Sequence, residues 1–93
     1  MSKENELVSI GYGAMVSAGR LIAVVGPDSA PVKRLIAESR ERSMLIDATF
    51  GRKTRTVLIM DSDHIVLSGI ALEKLAPRFG LEPAELTEDE EDG

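Results

Sequence analysis

The run Thr56-Val57-Leu58-Ile59-Met60-Asp61-Ser62-Asp63-His64-Ile65-Val66-Leu67-Ser68 reads as two strands folded about a polar turn. Thr56 to Met60 and His64 to Ser68 are rich in the β-branched and aliphatic side chains that suit a pleated, buried surface. Between them, Asp61, Ser62 and Asp63 carry side chains that hydrogen-bond nearby backbone and favour turns. Two β-rich runs around three polar residues predict a hairpin.

The flanking chain supplies the rest of a small fold. Leu7 to Tyr12 reads as a strand ending at the glycine pair Gly11 and Gly13, and Gly19 marks a turn or bulge. Leu21 to Val25 is a continuous apolar run, predicted as a buried strand that stops at Gly26-Pro27. Asp28-Ser29-Ala30-Pro31 has the features of a helix start, with Ser29 as cap and Pro31 in the first turn. Val32, Leu35, Ile36 and Ser39 then share one helical face, so the helix should run to Arg42 or Ser43. Leu45-Ile46 is a short apolar segment leading into Asp47-Ala48-Thr49-Phe50-Gly51. Ile70 to Phe79 predicts a short second helix, limited by Pro77. The expected order is β-β-α-β-β-α, a small α+β domain with an antiparallel sheet, one main helix and a short C-terminal helix.

Charge divides the chain in two. Residues 1–80 hold nine acids and all eleven Lys and Arg residues, a charge of +2; residues 81–93 hold seven acids and no base, a charge of -7. The expected organisation is a folded domain over residues 1–80 and an acidic, disordered tail over 81–93. A mildly basic body points to a polyanion partner, and its small size favours self-association. The chain has no cysteine, which excludes disulfides, thiol catalysis and cysteine-ligated zinc. With no signal-like start and no long apolar run, a cytoplasmic protein without a membrane partner is expected.

Catalytic signals are weak, and no enzyme or cofactor is expected. His64 lies beside Asp61, Ser62 and Asp63, but chain neighbours in a turn do not make a convergent triad. Metal ligation by the same four residues competes with their plain reading as a turn. Gly51-Arg52-Lys53-Thr54 ends like a phosphate loop, yet Ile46 stands where the leading glycine belongs. The basic loop is the stronger signal. Arg52, Lys53 and Arg55 place three cations in four residues, and no acid occurs between Asp47 and Asp61. Phosphate oxygens accept hydrogen bonds from such side chains. Arg20, at the entry to the apolar run, is a second candidate. With only Tyr12, Phe50 and Phe79 as aromatics, base stacking has little platform, which favours duplex over single-stranded nucleic acid.

These residues also form an ordered pattern. Ile10-Gly11-Tyr12-Gly13, Val16-Ser17-Ala18, Arg20, Pro27, Ser29-Ala30-Pro31, Lys33-Arg34, Met44 through Arg52, Thr54-Arg55 and Asp61-Ser62-Asp63-His64 resemble the RemA family of bacterial extracellular-matrix regulators. The resemblance implies a non-enzymatic transcriptional regulator that binds double-stranded promoter DNA and activates biofilm-matrix genes, in some members osmoprotection genes. It implies a fold similar to LytTR DNA-binding domains and a nucleoid-associated homo-oligomeric ring, a heptamer or octamer, around which DNA wraps. By the same resemblance Arg20, Arg52 and Lys53 are DNA-binding positions, with Arg55 beside them. Two positions depart from the pattern: Gly19 stands where Asn is frequent, and Lys53 where Arg is familiar. Lysine keeps the charge but lacks the bidentate fork. Two other readings stay open on the residues alone. One is a structural or adaptor protein, a ring if the resemblance holds, whose acidic tail engages a basic partner; the other is a domain binding a small anion through Gly11-Tyr12-Gly13 and Arg20.

Overall fold

The computed structural model describes residues 6–80. The acidic stretch over 81–93 lies outside the described residues. Six strands, β1 (Leu7–Gly11), β2 (Ala14–Ser17), β3 (Leu21–Val25), β4 (Leu45–Asp47), β5 (Thr56–Met60) and β6 (Ile65–Ser68), combine with helices α1 (Ala30–Glu41) and α2 (Leu72–Leu75). A 3-10 turn over Ala18–Arg20 precedes β3, and another over Ala76–Phe79 continues α2. The fold is α+β, as the sequence predicts, with the short strands β2 and β4 added to the expected order.

The hairpin β5–β6 is the centre of the molecule. Leu58 pairs with Val66 and Val57 with Leu67 in antiparallel register. The sheet order is β3-β5-β6-β4, with β4 lying parallel to β6. Successive strand residues face opposite sides, so the two central strands supply two cores. On one face Leu58, Met60 and Val66 pack with Ile10, Ala48 and Leu75. On the other, Val57, Ile65 and Leu67 meet Val32, Leu35 and Ile36 of α1. The molecule is therefore layered, with α1 below the sheet and the β1–β2 hairpin and α2 above it. Burying each such aliphatic side chain contributes roughly 1.5–3 kcal/mol relative to exposure.

Local chemistry sets the element ends. Ser29 Oγ accepts from the Val32 N–H at 3.2 Å, satisfying one of the free donors at the start of α1. The turn after β5 closes with Asp63 in a left-handed conformation (φ 73°), which Asp tolerates better than most residues. Pro77 cannot donate to an α-helical ladder, and the chain tightens from α to 3-10 geometry there before Gly80 (φ 89°) ends it.

Strand β3 departs from the buried strand its composition predicts. It pairs with β5 on one side only, and its register slips between Leu21 and Ala23, leaving Ile22 as an unpaired bulge residue that is 65% exposed. An apolar run signals burial on both faces, whereas no residue of β3 is fully buried: Leu21 packs partly against one core and Val25 against the other.

Two buried hydroxyls join the layers. Ser68 Oγ donates to the Ile10 carbonyl at 2.9 Å and accepts from the Ile70 N–H at 3.1 Å. Thr56 Oγ1 donates to the Ile70 carbonyl at 2.7 Å. They bind the β1–β2 hairpin and the chain after β6 to the same end of the sheet.

Candidate functional site

That end carries the basic loop. The Arg55 N–H donates to the Ser68 carbonyl at 2.8 Å, so the loop runs directly into the sheet ladder. Its entry is fixed by Asp47, whose Oδ1 accepts from the Thr49 backbone N–H at 2.9 Å and from the Thr49 hydroxyl at 2.6 Å. The Thr49 hydroxyl, then its backbone N–H, holds the Asp47 carboxyl below its usual pKa; burial opposes this and Arg40 adds to it. The chain then turns sharply, with Phe50 (φ 54°) and Gly51 (φ 86°) both left-handed and the Arg52 N–H donating to the Thr49 carbonyl at 3.1 Å. Positive φ at both central residues is the signature of a type I′ turn.

A second turn of this kind faces the first. Between β1 and β2, Tyr12 (φ 58°) and Gly13 (φ 88°) form a two-residue hairpin connection. The Tyr12 ring lies over the Arg52 guanidinium, with Arg52 Cζ 3.8 Å from the ring centroid. Gly69 lies beside this pair: a Cβ there would meet Tyr12 Cε2 at 3.4 Å and Arg52 Cβ at 3.5 Å, ordinary contact distances.

Two shallow depressions flank Arg55. One, of about 340 Å³, is lined by Tyr12, Arg55, Gly69, Ile70, Ala71 and Lys74. Its charged side chains are both cations. The other, of about 290 Å³, includes Lys53, Thr54 and Arg55 but also Asp28 and Glu73. An anion is favoured in the first, since the acids of the second offset its bases. Lys74 and Tyr12 were not among the residues singled out by charge clustering. Each reaches the basic loop only through the fold, from 19 residues or more away along the chain, counted from Arg55 to Lys74.

Arg20 is not part of this surface. Leu21 pairs with Met60, and the Asp61 N–H donates to the Arg20 carbonyl at 2.8 Å. Arg20 therefore sits at the opposite end of β5 from Arg55, about 20 Å away along the strand. Its Nη1 is 3.6 Å from Asp61 Oδ1, an exposed ion pair of small energetic weight. Arg52, Lys53 and Arg55 come together, and Arg20 stands apart.

The turn between β5 and β6 is built as a turn. Ser62 Oγ lies 2.7 Å from His64 Nδ1, and the Asp63 N–H donates to the Met60 carbonyl at 3.1 Å. Among the described residues no three His, Cys, Asp or Glu side chains gather as a metal site, and no helix is long and apolar enough to cross a membrane.

A family model described as extracellular matrix regulatory protein A-like, or RemA-like, matches residues 7–79. The chain belongs to the RemA-like family. Its relatives include a protein of Caldicellulosiruptor saccharolyticus, 58% identical over 87 residues that span 94% of this chain and 85% of that one. A protein of Acetivibrio thermocellus is 55% identical over 89 residues, covering 94% and 96% of the two chains. One from Symbiobacterium thermophilum is 54% identical over 89 residues, covering 96% and 94%. Each of the three carries the name "putative regulatory protein". Within this RemA-like chain, the matched span includes all four basic positions named above and both aromatic-glycine turns.

Proposed function

We propose that this RemA-like chain is a non-enzymatic transcriptional regulator that binds double-stranded promoter DNA at the nucleoid. Its targets are extracellular-matrix genes. The observation that carries the reading is the gathering of Arg52, Lys53, Arg55 and Lys74 at one end of a rigid sheet, on a family scaffold whose members are named as regulators. Loop cations seated on a sheet end suit phosphate contact.

One subunit offers few phosphate contacts, so binding by a single copy is weak and only shallowly salt-dependent. Assembly multiplies them. We place the subunit interface at the open sheet edges. Strand β3 has the composition of a doubly buried strand yet leaves Ile22 exposed, and the far edge shows Ile46 and Phe50 at 49% and 61% exposure. Two different edges meeting head to tail generate a closed ring when the rotation closes. In such a ring Arg20, at one end of β5, and the basic loop, at the other, recur as two rows of cations that a bent duplex follows. Bending makes sequence-dependent flexibility a source of specificity.

The test is fluorescence anisotropy of a promoter-length duplex titrated with wild type and Arg52→Ala at two salt concentrations. Tight, salt-sensitive binding that collapses in the variant is expected. Absence of binding by the assembled wild type at low salt would overturn the proposal.

A further inference from the structure

We propose that Tyr12 is a positioning residue for DNA binding, its ring fixing the Arg52 guanidinium in the orientation that meets a duplex phosphate. The inference rests on the DNA-binding reading above and extends it to a residue outside the basic loop.

Tyr12 occupies a conformation that disfavours it. At φ 58° its Cβ is crowded in the left-handed region, a position that Gly or Asn fills with less strain. Two-residue turns of this kind prefer Asn-Gly or Gly-Gly. Tyr12 is also 43% exposed, so core packing alone does not account for a large ring there. What the ring does contact is Arg52, face-on at 3.8 Å from Cζ to centroid. A cation over an aromatic face is attracted by the ring quadrupole, and a planar guanidinium also stacks on it.

The contact has a directional consequence. A guanidinium over the ring keeps its in-plane N–H donors at its edge, off the ring face, and Arg52 is exposed. One donor, on Nη1, also leans on the Phe50 carbonyl at 3.5 Å, a long and weak contact. The remaining donors are available to phosphate oxygens. An exposed Arg otherwise samples many rotamers and loses that freedom on binding; restraint beforehand lowers the cost of association.

The test uses the full chain as Tyr12→Asn, Tyr12→Phe, Arg52→Ala and the double variant Tyr12→Asn/Arg52→Ala. Duplex affinity and melting temperature are read for each. Asn relieves the turn and removes the ring, so Tyr12→Asn melts at or above the wild-type temperature while binding duplex about three- to fivefold more weakly per engaged subunit. Tyr12→Phe keeps the ring face and binds within about twofold of wild type. Tyr12→Asn adds no further loss once Arg52 is gone. Wild-type affinity in Tyr12→Asn, beside a collapse in Arg52→Ala, would overturn the role of Tyr12 and leave the DNA reading intact. A marked fall in melting temperature with the loss of affinity would make Tyr12 structural and overturn it as well. Failure of the wild type itself to bind would overturn the DNA reading and this inference with it.

Discussion

Ser68→Ala tests how the site is held to the sheet. The side chain is fully buried, and its hydroxyl links the Ile10 carbonyl on β1 to the Ile70 N–H after β6. Removing it deletes two hydrogen bonds, each worth about 1 kcal/mol net, and leaves a buried carbonyl at Ile10 without that partner. Ile10 is only 1% exposed, so water does not easily replace the lost donor. The expected destabilisation is about 2–3 kcal/mol. In a domain of this size that lowers the melting temperature by about 10–20 °C. The assay is thermal unfolding followed by circular dichroism at fixed protein concentration, since assembly would make the midpoint concentration-dependent. Because the same hydroxyl seats the hairpin that carries Tyr12, duplex affinity should fall below the unfolding transition too. A midpoint within about 3 °C of wild type would refute the claim that Ser68 joins the layers.

Three further outcomes follow from named contacts. Lys74→Ala should reduce the steepness of log affinity against log salt by about 0.9 per engaged subunit, because Lys74 shares the acid-free depression with Arg55; an unchanged slope in the salt titration removes Lys74 from the surface. Gly11→Ala should destabilise the fold by about 1–3 kcal/mol in chemical denaturation, since its φ is +102° and a Cβ would lie 2.6 Å from Ile70 Cγ1; a neutral result would contradict this close approach. Asp47 has a folded pKa below its unfolded value, so its stabilising effect is full above the ordinary carboxylate range and is lost as pH falls through the folded pKa. The stability gap between wild type and Asp47→Ala, read from urea midpoints, should therefore hold from neutral pH to about pH 4 and shrink below it; a gap that widens on acidification would contradict the assignment.

Much of the fold was legible because its signals are local. The hairpin at residues 56–68, its Asp61-Ser62-Asp63 turn, the Ser29 cap and the apolar face of α1 all follow from neighbours in sequence. Strands β2 and β4 were not legible in that way. Strand β4 has three residues and forms by parallel pairing with β6, whose partner for Leu45 is Ile65. Such pairing is decided by tertiary contact, not by the composition of Leu45-Ile46-Asp47. The same distinction holds at the site. Arg52, Lys53 and Arg55 were visible as a charge cluster. Their union with Tyr12 and Lys74, and the separation of Arg20 to the far end of β5, depend on strand register. Gly11-Tyr12-Gly13 looked like the end of a strand, and only the backbone angles reveal a hairpin turn with an aromatic at a strained position.

The most direct measurement is the duplex affinity of Ile22→Glu, determined alongside its sedimentation. Ile22 is exposed on an edge strand, so the substitution leaves the subunit core and Arg52 untouched while placing a charge where a second copy would pack. Wild type should sediment as an assembly and bind duplex tightly, whereas Ile22→Glu should sediment as a smaller species and lose tight binding. A folded, monomeric Ile22→Glu with wild-type affinity for duplex would contradict this expectation.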